Sequence, residues 1–234
     1  MQDIPLNKSE INSNLNLYRV KKDLIRKNLI KYTRKAFNTL PKIKNPRILD
    51  IGCGTGVPTI ELVKLSNGHV VGIDIDETSL NLLRVKIKKT GLDNQISLLN
   101  NSIFTMDFPE ESFDIIWTEG SIFVLGFEKS IKNWHRFLKI NGFLVIHDEN
   151  KDKAKKLELT KKYGYNIIDQ FDLSKSRWWD EYYLPLEQII QEFNHKYPND
   201  TELSNELKKD QIEIDKCKSN SVIFSSFFVI LQKV

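Results

Sequence analysis

Two carboxylates and a run of alternating glycines carry the plainest chemistry in the chain. Asp50 lies in the short apolar run Arg47-Ile48-Leu49-Asp50-Ile51, which leads at once into Gly52-Cys53-Gly54-Thr55-Gly56 and then Val57-Pro58. Glycine at every second position removes the Cβ atoms from one side of the backbone. A flat polar ligand can then lie against it and use its N–H and C=O groups. Asp74 ends a second apolar run, His69 to Ile75, about one strand-helix-strand unit later. A carboxylate there can accept a hydrogen bond from each of two vicinal hydroxyls, as on a ribose. The plain structural readings are an ordinary strand-to-helix turn for the glycines and a strand-end or helix N-terminal acid for Asp74. Further polar groups follow later apolar runs: Asn101-Ser102, Thr118-Glu119-Gly120-Ser121 and His147-Asp148-Glu149. Glu119 and His147 are candidates for orienting a substrate or removing its proton. Alternatively, Glu119 bonds backbone amides and His147 is a satisfied strand-end histidine.

These residues need a frame that brings them to one rim, and the apolar pattern supplies it. Strands are expected at Ile48–Ile51, His69–Ile75, Ile96–Leu99, Phe113–Trp117, Phe143–Ile146, Tyr165–Phe171 and within Ser221–Val234. Helices are expected at Val57–Leu65, Glu77–Thr90, Phe127–Leu138 and Asp152–Tyr163, with Pro58 in a first turn and Asp76 as an N-cap. Ligands of open α/β sheets bind outside the carboxyl ends of the strands, where Asp74 falls.

The chain of 234 residues, 40% hydrophobic and 28% charged, fits a globular protein with one core and helical additions. No apolar run approaches the length of a membrane span and the N-terminus is too polar for a secretory leader, so a cytoplasmic location is expected. Cys53 and Cys217 are too few for a disulfide scaffold or a cysteine-built metal site, and no metal is expected. The net charge of +4 is mostly lysine and says little about nucleic acid.

The Asp-x-Gly-x-Gly-x-Gly stretch from Asp50 to Gly56 resembles the first motif of class I S-adenosylmethionine-dependent methyltransferases. The order of later features is similar too: Asp74, the proline turn and Ser-Phe-Asp of Pro109 to Asp114, and the Leu138-Lys139 to Gly142 turn. The resemblance covers about residues 46–150. It implies an α/β, Rossmann-like fold: a seven-stranded, mostly parallel sheet with helices on both faces and an antiparallel last strand. It also implies that S-adenosylmethionine, leaving as S-adenosylhomocysteine, is held by Asp50, Gly52, Cys53, Gly54, Gly56, Asp74, Ile75, Asn101, Ser102, Ile103 and Glu119. At the adenine position the family usually has an acid; here Asn101 or Ser102 stands there.

Residues outside that core carry two further expectations. Residues 1–45 form an N-terminal arm and helical cap, polar to about residue 15 and then one amphipathic helix or two between Asn16 and Leu40. Lys21, Lys22, Lys27, Lys31 and Lys35 form a solvated face or, less simply, a contact for RNA. The core spans 46–173 and 221–234. Between these, residues 174–220 form a helical insertion opening with Trp178, Trp179, Tyr182 and Tyr183, either a lid that binds substrate or an aromatic anchor. The methyl acceptor is expected to be a small molecule, with an RNA-directed enzyme or a catalytically silent partner protein as alternatives. No Asn-Pro-Pro-Tyr and no Pro-Cys nucleophile follows the fourth strand, which argues against adenine-amino and pyrimidine-carbon methylation.

Overall fold

Ile48, Leu49 and Ile51 pair in parallel with Val70, Val71 and Ile73 on one side, and Ile48 and Leu49 pair with Ile115 and Ile116 on the other. Both faces of these strands are buried, which is why they read as continuous apolar runs and not as alternating ones. The computed structural model describes residues 11–219 and 225–234. Its strands are β1 (Arg47–Ile51), β2 (His69–Asp74), β3 (Ile96–Asn100), β4 (Phe113–Glu119), β5 (Leu138–Glu149), β6 (Tyr165–Leu173) and β7 (Ser226–Lys233). They form one sheet in the order β3, β2, β1, β4, β5, β7, β6, parallel except for β7, which runs antiparallel between β5 and β6. The expected sheet is the one observed.

The helices are α1 (Asn14–Arg26), α2 (Ile30–Asn38), α3 (Val57–Ser66), α4 (Glu77–Thr90), α5 (Phe127–Trp134), α6 (Lys153–Lys162), α7 (Lys175–Trp178), α8 (Leu184–Lys196) and α9 (Thr201–Ser219). One core, around Ile48, Trp117 and Val145, packs under α2, α3 and α4; the other, around Leu49, Ile116 and Leu144, packs under α5. A third cluster stands apart from the sheet. Tyr18 and Ile25 of α1 pack there with Leu186, Ile190 and Phe193 of α8 and Leu203, Leu207 and Ile214 of α9. The N-terminal helix and the insertion thus share a core, although some 160 residues separate them in sequence.

Several boundaries differ from the sequence reading. The apolar stretch before residue 40 makes two helices joined by a tight turn at Lys27–Leu29, and α1 starts at Asn14 under a Ser13 cap. Most of the proposed N-terminal arm, 1–10, lies outside the described residues, as does 220–224, the expected start of the last strand. The expected helix over 127–138 closes as α5 followed by a tighter turn at His135–Phe137. The insertion also holds a feature that periodicity conceals. Pro185 has no N–H to donate one helical turn back, and between α7 and α8 the helix widens into a π turn, in which Leu184 N–H reaches Trp179 C=O. The Glu181 carbonyl accepts instead from Asn28 Nδ2 at 3.0 Å, so the proline's missing bond is replaced by a tie to the N-terminal segment.

Candidate active site

The glycine loop hangs from β2. The Gly52 and Cys53 N–H groups both donate to Ile73 C=O, and Gly54 N–H donates to Asp74 Oδ2 at 2.8 Å. Asp74 Oδ1 accepts from Asp76 N–H at 2.9 Å, so its carboxylate is fixed by two backbone amides with lone pairs remaining on each oxygen. The three glycines do not share one role. A methyl group on Gly52 would fall 2.4 Å from Ser121 Cβ, and one on Gly56 2.1 Å from a Leu83 methyl carbon; on Gly54 the nearest atom is 4.0 Å away, Asp74 Oδ2. Only Gly54 keeps an open face for a ligand. Gly52 and Gly56 also line the cavity beside the loop, but the side on which a Cβ would stand is taken by Ser121 and Leu83.

Asp50 is placed beneath the loop and not in its cavity. It is 2% exposed and accepts from Thr59 Oγ1 at 2.6 Å. Burial, opposed by that hydrogen bond, pushes its pKa up to about 7. In the structure Asp50 braces β1 against the first turn of α3.

Two cavities flank the loop and meet at Gly52. One, about 310 Å³, is lined by Asp74, Ile75, Asn101, Ser102, Ile103, Phe104, Gly120 and Val124, a slot with an acid at its inner end. Ile75 (73% exposed) and Phe104 (64%) stand open on it, while Ile103 packs partly into the core. Asn101 Oδ1 already accepts from Ser102 N–H at 2.8 Å and Thr105 Oγ1 at 3.2 Å, so the side-chain carbonyl expected to face an adenine amine is turned into its own turn. Phe104 was missed by sequence reasoning; its one signal is an aromatic next to the expected Ile103.

The other cavity, about 260 Å³, is lined by Gly54, Cys53 and Glu119 together with Arg19, Lys22, Arg26 and Tyr182. Its basic residues come from α1, and Lys22, assigned above to a solvated face, is in fact turned inward. It bonds Asp210 at 2.6 Å, which also accepts from Tyr18 Oη at 2.6 Å. Arg19 pairs with Asp76 at 2.9 Å. Asp23 of α1 accepts from both Lys86 of α4 and Thr55 of the loop, and Lys86 also donates to Thr55 C=O at 2.7 Å.

Glu119 is 5% exposed at its side chain and held by three donors: Arg26 (2.7 Å), Thr33 Oγ1 (2.8 Å) and Trp117 Nε1 (2.9 Å). So committed, it clamps α1 and α2 to the end of β4. His147, its neighbour in register on β5, lies in a ring stack between Trp178 (5.6 Å) and Phe228 (4.4 Å), with Phe171 beyond. Burial, with the Arg26 charge adding to it, lowers its pKa to about 3. The imidazole is neutral at ordinary pH and a poor proton acceptor. Neither candidate is placed as a free base.

A pH prediction follows with a definite sign. An unfolded histidine titrates near 6.5, so below that pH the unfolded chain binds a proton that native His147 refuses. Its contribution is present above about pH 6.5 and is lost as pH falls toward 3. Asp50 acts oppositely: its raised pKa contributes at low pH, and that is lost as pH rises through about 7. In calorimetric melts, His147→Phe is expected to flatten the fall of Tm between pH 6.5 and 4.5, and Asp50→Asn the fall between about pH 4 and 7. An unchanged acid slope in His147→Phe would mean that the native imidazole is already protonated.

The four aromatic residues of the insertion divide. Trp178 donates Nε1–H to Ser226 Oγ at 2.8 Å and, with Tyr183, lines a third cavity; Tyr182 lines the one beside Glu119. Trp179 lines none of the three, and packs in the α1/α8/α9 cluster with the Lys218 ammonium 5.6 Å over its ring.

A family model described as a methyltransferase domain matches residues 42–216. The chain is 30% identical over 145 residues to a phosphoethanolamine N-methyltransferase of Plasmodium falciparum, covering 58% of this chain and 53% of that one. It is 33% identical over 119 residues to a demethylmenaquinone methyltransferase of Bacteroides fragilis, covering 49% and 48%. The chain spans about half the length of these curated relatives. Its fold superposes on a methyltransferase from Geobacter sulfurreducens solved with S-adenosyl-L-homocysteine, with a TM-score of 0.73 at 14% identity, over 87% of this chain and 91% of that one. The family match covers most of the chain, including the glycine loop, Asp74 and the insertion: the protein belongs to the methyltransferase-domain family, of the class I S-adenosylmethionine-dependent type.

Proposed function

We propose that the chain transfers a methyl group from S-adenosylmethionine to a small-molecule acceptor. The observation that carries this reading is the meeting of cavities at Gly120. That residue lines both the slot beside Asp74 and the third cavity, of about 530 Å³, under Trp178 and α9. A volume of that order suits a small molecule, not a polymer.

The residues present fit the cofactor. The open face over Gly54 admits a ligand backbone that any side chain would obstruct. Asp74 has free lone pairs for two ribose hydroxyls, and Ile75 and Phe104 offer apolar surface to a base. Arg19, Lys22, Arg26 and Glu119 line the loop cavity as ion-paired groups, a polar wall suited to the zwitterionic end of the cofactor. When bound, S-adenosylmethionine supplies a methyl group on a sulfonium, whose departure needs no proton. The chain then has only to align and to exclude water, which proximity can carry. Glu119 and the Asp23 to Lys86 link serve by holding α1 over the loop, and Asp50 by holding α3 beneath it. Residues 174–219, with α1 and α2, act as the cap over both sites, and their aromatic residues serve as wall and anchor together.

An RNA-directed role finds less support. Of the five lysines assigned to an outward face, Lys22 and Lys31 are ion-paired to Asp210 and Glu181, and Lys35 sits 4.0 Å over the Phe171 ring. Titration calorimetry with S-adenosylmethionine and S-adenosylhomocysteine tests the proposal. Micromolar binding of both is expected; no heat and no thermal shift with either would sink it.

A further inference from the structure

We propose that the third cavity takes a flat, uncharged, largely apolar ligand bearing an oxygen that accepts a hydrogen bond, such as a phenol, an enol or a ring ketone, in preference to a charged amine or a phosphate ester. The inference rests on the methyl-transfer reading for the adjoining slot and adds the chemical class of the acceptor.

The turn Ile122–Val124 divides the two spaces. Val124 faces the Asp74 slot and the neighbouring Phe123 faces the third cavity, with Gly120 opening onto both. Phe123 is 69% exposed and Ile212, across from it on α9, 54% exposed, although each lines a concave space and not a convex surface. Two large apolar side chains left open on a cavity lined also by Trp178 and Tyr183 favour an apolar occupant, since covering them removes their surface from water.

The charges around that cavity cancel. Lys209 and Lys216 share with Glu213 one face of α9, at three- and four-residue spacing, and Glu149 lies on the opposite rim. Asp148 is already paired with Lys156 at 2.7 Å. Lys209 is paired in turn with Glu206 at 3.4 Å and Glu213 accepts from Tyr183 Oη at 2.7 Å, so Lys216 and Glu149 are left facing one another in charge and no field of one sign offsets the desolvation of a charged ligand. The polar fixed point is His147. Ser226 Oγ accepts from Trp178 Nε1 at 2.8 Å and lies 2.7 Å from His147 Nε2. Satisfying the serine hydroxyl makes it the donor to Nε2, which leaves the imidazole proton on Nδ1. That Nδ1 is buried and has no partner among the described residues, on a side chain that lines the cavity. A buried N–H donor without an acceptor asks for a carbonyl, phenol or enol oxygen.

The test uses the whole chain, titrated with and without saturating S-adenosylhomocysteine. The probes are 2-naphthol and 1-naphthylmethylamine, matched in ring area and differing in charge. 2-Naphthol is expected to bind at least tenfold more tightly than the amine. Phe123→Ala and Ile212→Ser, both open side chains whose loss spares the core, should each weaken 2-naphthol at least fivefold. His147→Phe, which keeps the ring stack, should weaken it at least threefold. S-adenosylhomocysteine affinity should stay within twofold in the Phe123 and Ile212 variants. Equal or tighter binding of the amine, or 2-naphthol affinity indifferent to both substitutions, would overturn the assignment. Failure of S-adenosylhomocysteine to bind the unmodified chain would instead strike the methyl-transfer reading, and is read separately from the naphthol arm.

Discussion

Replacing Asp74 with alanine is expected to weaken binding of S-adenosylhomocysteine by about tenfold to a hundredfold, the equivalent of losing about 1.5–3 kcal/mol of charge-assisted hydrogen bonding. Two losses combine. The acceptor for the ribose hydroxyls disappears, and Gly54 N–H, now held at 2.8 Å by Asp74 Oδ2, is left without a partner at the one glycine whose open face the ligand needs. Asp74→Asn keeps the shape and one acceptor oxygen, so it should fall between wild type and Asp74→Ala. Calorimetric affinities that differ by less than threefold between wild type and Asp74→Ala, with both folded by circular dichroism, would remove Asp74 from the cofactor site.

The second large effect belongs to Asp23. Its carboxylate neutralises Lys86, whose side chain is only 8% exposed, and accepts from Thr55 in the loop. Removing one partner of a buried pair leaves an uncompensated charge and is typically strongly destabilising, by about 3–5 kcal/mol. For a chain of this size that corresponds to a fall in Tm on the order of 10 °C. Asp23→Ala should therefore melt well below wild type and also bind cofactor more weakly, because Thr55 loses its anchor. The double variant Asp23→Ala/Lys86→Met removes the stranded charge and should recover more than half of the lost Tm, while cofactor binding stays weak. A single variant that melts within 2 °C of wild type would show that water reaches the pair.

The parts of the site that the sequence made legible are those set by local backbone. Asp74, the glycine loop and the Asp76 cap each follow from strand, turn and helix signals a few residues apart, and the sheet from apolar runs at regular spacing. What sequence could not supply is which way a side chain turns once a distant element covers it. Lys22 reads as one more lysine on an amphipathic helix until Asp210 is placed beside it. Glu119 and His147 sit on the expected rim, but Trp178 lies 31 residues from His147 in sequence and their partners Thr33, Arg26 and Ser226 lie 79 or more away. Those are just over or well over the separations that pattern reading spans, and the partners decide whether a carboxylate or imidazole is a free base or a fixed contact. Gly52 and Gly56 make the same point in the backbone: their spacing suggests a ligand, whereas Ser121 and Leu83 explain them.

The position of β7 has a consequence for how the molecule is made. Among the described residues, 226–233 form the last strand in sequence, yet they lie between β5 and β6, and β6 pairs with no other described strand. As the polypeptide emerges from the ribosome, β1 to β5 can pair in turn. The free edge of β5 must then wait through the whole synthesis of β6 and the insertion before its partner arrives. An unpaired apolar edge is a template for pairing with other chains, so nascent chains halted near residue 219 should be prone to aggregate and to bind holdase chaperones. Adding the final strand as a synthetic peptide should relieve both, and stalled chains that stay soluble and protease-resistant without it would show that β5 is protected by some other route during synthesis.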